Sequence, residues 1–196
     1  MDLREIKTER NIKEAFLRLR ARKPLERITV KELAELAEIS KATFYLHYHD
    51  IYDLSSKMQK EVIHTALDST DYPTLFLSEP IEFMRRLFHS CYAQKSMITV
   101  LFSGNQFSVL PAEVENALKQ HLYREIPSAK NNLKINMLLT YMIQGAHHAF
   151  IDNINQYSME EILKEIADYS AGVTTHLKIL IEEEMQESGI SQGGEQ

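Results

Sequence analysis

Cysteine is almost absent from this chain of 196 residues, since Cys91 is its single cysteine. One cysteine cannot build an internal disulfide framework, and this scarcity is typical of proteins of the reducing cytoplasm. No apolar run reaches the length of a membrane-spanning helix, and the first ten residues, MDLREIKTER, are charged rather than signal-like. We therefore expect a cytoplasmic protein without a membrane partner.

Residues that interrupt helices are also few, with five prolines and six glycines. No segment alternates apolar and polar residues in the manner of a half-buried strand. We predict an all-α fold of about nine helices. The predicted domains are a head over residues 1–50, a connecting helix from 50 to about 68, a helical body over 69–187 and a disordered tail over 188–196.

The motifs of common enzymes are missing as well. The chain has no glycine-rich phosphate loop, no HExxH and no nucleophile elbow. His147 and His148 are adjacent, so on a helix they point about 100° apart and do not easily bind one metal ion. We expect no enzymatic activity, no cofactor and no metal site.

Two short helices joined by a tight turn are predicted over residues 29–48, TVKELAELAEISKATFYLHY. Thr29 and Glu32 have the spacing of a capping box, and Ser40 can cap the second helix. Asp50 can cap the longer helix that follows. Ile39, in the turn, is expected to fill the space between the two short helices.

The second of these helices carries polar and aromatic side chains around a buried Phe44, namely Lys41, Thr43, Tyr45, His47 and Tyr48. This pattern is typical of a helix that docks in the major groove of DNA. The charge distribution agrees, because residues 1–60 hold 13 Lys and Arg against 10 Asp and Glu, whereas residues 61–196 hold 9 against 18.

The remaining helices are predicted from apolar spacing, prolines and caps. Ser128 is expected to cap a long helix that ends near Asn153, and Ser158 with Glu161 forms a capping box for the last long helix. The other predicted helices run from about Leu3 to Ala21, from Ile81 to about Gln94, from Ser96 to Phe102, and from Pro111 to a stop before Pro127.

Residues 29–54, together with Ala15 and Phe16 in the preceding helix, resemble the DNA-binding head of TetR-family transcriptional regulators. The chain departs from that pattern at Ile51, where the family often has a lysine that meets a phosphate. Lys57, His49 or the backbone amides at the start of the following helix can take over that contact. The resemblance implies that Thr29 and Tyr48 lie near phosphates. It places Lys41, Ala42, Thr43, Tyr45 and His47 along the groove.

The resemblance also implies a homodimer that binds a palindromic DNA operator, with the last two long helices of each subunit forming a four-helix bundle. The expected dimer residues are Gly145, Ala149, Ile166, Val173, Leu177 and Leu180. A pocket for an unidentified small-molecule effector is expected in the body. Its candidate lining residues are Phe88, Cys91, Met97, Phe102, Phe107, Met137, Tyr141 and Met142.

The sequence therefore predicts a ligand-responsive DNA-binding regulator, acting as a repressor that the effector releases from its operator. Two alternatives stay open. One is a helical module that binds a protein partner, and the other is a regulator that responds to a metal ion.

Overall fold

A computed structural model describes residues 3–70, 75 and 78–187 of the chain. Within that part it contains nine α-helices and no strand, so the predicted all-α fold is confirmed. The helices are α1 (Leu3–Arg20), α2 (Val30–Leu36), α3 (Lys41–His47), α4 (Ile51–Asp68), α5 (Pro80–Ala93), α6 (Lys95–Leu101), α7 (Val109–Glu125), α8 (Leu133–Asn153) and α9 (Met159–Glu187).

The chain divides into two compact units. The head unit comprises Met1–Ile63 and Gln94–Leu110, and the body unit comprises His64–Ala93 and Pro111–Gln196. The division falls inside α4, whose residues 51–63 belong to the head unit and whose residues 64–68 belong to the body unit.

The head unit is built around α1, which packs against α2 and α6. Ile12 and Phe16, on the inward face of α1, are fully buried, as are Leu33 of α2 and Phe44 of α3. These residues recur at helical spacing along each element, so one apolar stripe per helix suffices to form the core.

The predicted caps of the head unit are confirmed, although the Glu32 carboxylate of the predicted capping box bonds to Lys23. Thr29 Oγ1 accepts a hydrogen bond from the backbone N–H of Glu32 at 3.3 Å, and Ser40 Oγ accepts one from Thr43 at 3.0 Å. Asp50 Oδ1 accepts from the N–H of Asp53 at 2.8 Å. Each cap satisfies a backbone donor that the first turn of a helix leaves without a partner.

The head unit is larger than the predicted head because residues 94–110 join it. The buried Arg20 of α1 donates to the carbonyl oxygen of Ser103 at 2.9 Å, and Gln59 of α4 donates to that of Leu101 at 3.0 Å. Asn105 also bonds to Glu26. These long-range bonds tie α6 and the turn after it to α1 and α4.

In the body unit, α8 and α9 form an antiparallel hairpin. The predicted capping box at the start of α9 is confirmed, since Ser158 N–H donates to Glu161 Oε2 at 3.0 Å and Glu161 N–H donates to Ser158 Oγ at 3.3 Å. Asn132 Nδ2, before α8, donates to Glu184 Oε2 near the end of α9 at 2.6 Å. That bond fixes the register of the hairpin.

The predicted cap of α8 was wrong. Ser128 lies in a 3-10 turn, Pro127–Asn131, and Asn132 caps the helix by accepting from the N–H groups of Lys134 and Ile135 at 3.1 and 3.2 Å. Pro127 opens the tighter turn, which delays the α-helix by several residues.

No helix in the described part of the chain is both long and apolar enough to cross a bilayer. The predicted tail, residues 188–196, lies outside the described residues, as do residues 71–74 at the start of the predicted body domain.

Candidate nucleic-acid interface

The turn between α2 and α3 has a defined helix-ending geometry. The N–H of Ile39 donates to the carbonyl of Ala34 at 3.0 Å, and the N–H of Glu38 donates to that of Glu35 at 3.3 Å. This bond pair is the Schellman motif, which needs a left-handed residue directly after the helix cap. Glu38 fills that position with a φ of 56°. The motif sets the angle at which α3 leaves α2.

Helix α3 has one buried and one exposed face. Phe44 is fully buried, and its ring packs edge-on against Tyr45 with the centroids 5.6 Å apart. Lys41, Ala42, Tyr45 and Leu46 are exposed. Because Ala42 and Tyr45 are three residues apart, and Lys41–Tyr45 and Ala42–Leu46 are four apart, these four side chains form a continuous strip, which we call the α3 face.

Leu46 is absent from the sequence-predicted contact residues, yet it is 84% exposed. The signal that could have identified it is its spacing, because it follows Ala42 by four residues and therefore lies on the same side of α3. The α3 face thus carries one cation, one phenol and two apolar groups.

Three other residues predicted to contact DNA are already engaged in contacts within the head unit. Thr29 is exposed, but its hydroxyl caps α2. Thr43 is half-buried, and its hydroxyl lies 2.8 Å from Ser40 Oγ within the cap of α3. His47 is half-buried, and its ring lies next to that of Tyr48, with the centroids 6.3 Å apart.

Tyr48, which the family resemblance places near a phosphate, is buried. It is 4% exposed, and its hydroxyl donates to Glu9 Oε1 of α1 at 3.5 Å. Burial, reinforced by the carboxylates of Glu9 and Glu61, raises the pKa of the phenol above its usual range. Tyr48 therefore anchors α3 to α1 as a neutral donor and is not placed to contact a phosphate.

Charged side chains surround this anchor. Lys13 bridges Glu9 and Glu61, with its Nζ 2.8 Å from each carboxylate, and the bond to Lys13 lowers the pKa of Glu9. Lys57 is half-exposed; its Nζ pairs with Asp53 at 2.9 Å and lies 5.0 Å from the centre of the Tyr48 ring. To contact a phosphate, Lys57 must first break its ion pair with Asp53.

Exposed charges of both signs lie on the elements next to α3. Arg22, Arg27 and Lys31 are exposed before and at the start of α2 with a single exposed carboxylate, Glu26, between them, whereas Glu35 and Glu38 are exposed at its end. The basic groups are therefore concentrated at one end of α2. A phosphate backbone that crosses this region is favoured at the start of α2 and disfavoured at its end.

The predicted pocket residues are not gathered into one unit. Met97, Phe102 and Phe107 belong to the head unit, and the other five belong to the body unit. Met137 and Tyr141 are 63% and 70% exposed. They lie on the surface of the subunit and do not line an interior pocket.

Phe88, Cys91 and Met142 are half-buried in the body unit. The Phe88 ring lies 5.2 Å from that of Phe150, so α5 meets α8 at this point. Burial raises the pKa of the Cys91 thiol to about 11. The thiol is therefore protonated at neutral pH and is a weak nucleophile.

A polar seam joins α7 and α8 within the body unit. Glu115 of α7 accepts hydrogen bonds from Lys119 at 2.7 Å, Thr140 at 2.5 Å and Gln144 at 2.9 Å. Burial alone would raise the pKa of Glu115, but these three bonds outweigh it and lower the pKa. The carboxylate is ionised and fully engaged at neutral pH.

The predicted dimer residues divide into two groups. Ile166, Leu177 and Leu180 are buried within the subunit, so they belong to its own core and are not available at a dimer interface. Gly145 and Ala149 are exposed and Val173 is half-buried. The physical reason is that α9 directs its most apolar stripe against α5 and α8.

Another set of apolar residues on the α8–α9 hairpin is exposed. Leu133, Met137 and Tyr141 recur at four-residue spacing on α8, and Tyr169 on α9 is 76% exposed. Gly145 continues the α8 stripe, and a Cβ added to it would meet nothing within 4 Å. We call this set the hairpin face.

Among the described residues, no group of three or more His, Cys, Asp and Glu side chains is arranged to hold a metal ion. A scan of protein-family models found no match to this chain, and a search of curated proteins found none either.

Proposed function

We propose that this chain is a DNA-binding transcriptional regulator whose α3 face lies in the major groove. The observation that supports this most is the division of α3 into a buried Phe44 and an exposed strip of Lys41, Ala42, Tyr45 and Leu46. A docked recognition helix requires this division, because the scaffold must hold the helix while its outer side chains remain free.

The dimensions and chemistry of α3 suit a short base-reading helix. Seven residues at 1.5 Å each span about 10 Å, which corresponds to about three base pairs. Lys41 can donate to guanine O6 and N7, and Tyr45 can donate to a base or a phosphate. Ala42 is small enough for the helix backbone to approach the bases closely.

The fixed angle between α2 and α3 supports the same proposal. The Schellman turn holds one end of α3, and the Tyr48–Glu9 bond holds the other end against α1. A recognition helix held at both ends loses little conformational freedom on binding, so more of the contact energy appears as affinity.

We propose further that two copies of the chain associate through the hairpin face and bind a palindromic operator. Exposed Met137 and Tyr141 lie on the same side of α8 as the open Gly145, so this stripe offers both large side chains and a space to receive them, and Tyr169 adds an exposed tyrosine on α9. A two-fold interface requires such self-complementarity.

Release from the operator is proposed to follow uptake of a small molecule by the body unit. The half-buried Phe88, Cys91 and Met142 are apolar and polarisable side chains of the kind that line ligand sites. Helix α4 belongs to both units, so a displacement at residues 64–68 reaches the head through one continuous helix. We propose that the regulator acts as a repressor, which the small molecule releases from its operator.

The DNA-binding proposal is tested by selecting duplexes from a random pool with the full-length protein and measuring their affinity at several salt concentrations. Wild-type protein should lose affinity as salt rises, since released counterions drive the binding. Lys41→Ala should weaken binding by about 1–3 kcal/mol, which is the value of one good base contact. Lys130→Ala is the matched control, because it removes an exposed lysine from the body unit.

Failure to enrich any duplex would overturn the proposal. The exposed Leu36 and Leu46 favour a second candidate, a module that binds a protein partner. Stoichiometric recovery of one protein, with its loss in Lys41→Ala and no retained DNA, would favour that candidate instead.

Sedimentation measures the proposed association. Tyr141→Glu should convert the dimer to a folded monomer, because it places a charge on the hairpin face without touching the subunit core. Tyr157→Glu is the control, since Tyr157 is an exposed tyrosine in the turn between α8 and α9. A Tyr141→Glu protein that remains dimeric at the wild-type concentration would exclude the hairpin face.

A further inference from the structure

Leu46 stands out on the α3 face because it is a large apolar side chain left almost wholly in water. Single exposed leucines are ordinary on protein surfaces. Leu46, however, adjoins Ala42 and Tyr45, so apolar atoms make up most of the α3 face, on the face that we propose to enter DNA. The inference below rests on that proposed function.

Geometry keeps Leu46 within reach of the bases. Helical side chains lean toward the N-terminus of their helix, so Leu46 leans over the exposed Ala42 one turn before it. Four residues of helix correspond to about 6 Å, or roughly two base-pair steps. When Lys41 and Ala42 lie at the floor of the groove, Leu46 therefore lies over a neighbouring base pair.

The neighbours of Leu46 limit which other side chains at this end of α3 can contact DNA. Phe44 is fully buried, Tyr48 is anchored to Glu9, and the His47 carbonyl accepts a bond from Lys57. The last turn of α3 thus presents two exposed side chains, Tyr45 and Leu46, and of these Leu46 has no hydrogen-bonding group.

Among the four natural base pairs, the major groove offers a single apolar group, the 5-methyl of thymine. We propose that Leu46 determines specificity by packing against a thymine methyl, so that each operator half-site carries an A·T pair at a fixed position. Lys41 and Tyr45 then specify hydrogen-bonding positions, and Leu46 specifies a methyl.

The test replaces thymine by deoxyuridine, which keeps the base pair and removes the methyl. Duplexes selected by the wild-type protein are synthesised with one deoxyuridine at a time, and their affinities for wild-type, Leu46→Ala and Leu36→Ala proteins are compared. Wild-type protein should lose about fourfold at one position per half-site, which is 0.8 kcal/mol for one methyl-sized group at 1.4 kcal/mol per tenfold.

Leu46→Ala should bind the unmodified duplex more weakly and show no loss at that position. Leu36→Ala, which makes the same substitution on α2, should keep the fourfold loss. The inference is overturned if no deoxyuridine weakens wild-type binding, or if the loss persists unchanged in Leu46→Ala. Enrichment of no duplex at all would contradict the proposed function itself, and Leu46-dependent capture of a protein would assign the side chain to that partner.

Discussion

Glu38 offers the sharpest test of the link between the turn and the stability of the head unit. It is the non-glycine residue with positive φ among those described, at 56°, and it occupies the left-handed position of the Schellman motif after α2. Glycine is the usual residue there because it has no Cβ to approach the following carbonyl. Glu38→Gly should therefore stabilise the protein.

The magnitude follows from two opposing effects. A residue with a Cβ pays about 1–2 kcal/mol to adopt the left-handed region. Replacing Glu38 by glycine removes that cost. Glycine also destabilises the folded state by about 0.5–1 kcal/mol, because a glycine loses more backbone conformational entropy on folding. The expected net stabilisation is about 0.5–1 kcal/mol, which for a chain of this length raises the melting temperature by about 1–4 °C.

Thermal and urea unfolding of wild type, Glu38→Gly and Glu38→Ala distinguish the effect of backbone strain from the effect of the Glu38 charge. Glu38 is exposed and close to α3, so its carboxylate also opposes DNA. Glu38→Ala removes that charge but keeps the Cβ, so it should leave the stability near that of wild type. Both variants should bind DNA more tightly than wild type. If Glu38→Ala gains as much stability as Glu38→Gly, the cause is charge, and the argument from backbone strain fails.

Two further predictions concern the body unit. Asn132→Ala should cost about 0.5–2 kcal/mol in urea unfolding, because it removes both the α8 cap and the bond to Glu184, whereas the exposed neighbour Asn131→Ala should cost little; equal losses would contradict the structural role of Asn132. Glu115→Gln should cost about 1–3 kcal/mol at pH 7, because it leaves Lys119 without its carboxylate in a half-buried seam. Since the folded pKa of Glu115 lies below its ordinary value of 4.5, this stabilisation is complete above that value and is lost as the pH falls through the folded pKa. The difference between wild type and Glu115→Gln should therefore shrink below about pH 4.5, and a constant difference would contradict an ionised Glu115.

Local features of this fold were predictable from the sequence because they depend on residues a few positions apart. Thr29, Ser40 and Asp50 cap their helices as predicted, and Ser158 with Glu161 forms the predicted box. A cap needs one side-chain oxygen and a backbone N–H two or three residues later, so the sequence alone contains both partners. Ser128 failed because Pro127 began a 3-10 turn first.

The candidate interface was predictable only in part. Lys41, Ala42 and Tyr45 were expected on the outer side of α3, and the structure exposes all three. Tyr48 belongs to the same aromatic run, yet its exposure depends on Glu9, which lies 39 residues earlier in the chain. The spacing of residues within α3 cannot reveal that partner, because Glu9 lies in α1.

The sequence by itself determined that this chain is helical, where most of its helices begin, and that a short polar helix follows a tight turn at Glu38. Tertiary structure alone decided which apolar stripes are used inside the subunit. Ile166, Leu177 and Leu180 are buried in the core of the subunit, whereas Met137 and Tyr141 lie outside it. All five have the spacing of a buried face, and the side that becomes buried is set by the helices that pack against it. Leu46 is left in water for the same reason, since Phe44 of α3 and Tyr48 directly after it take the positions that face the core.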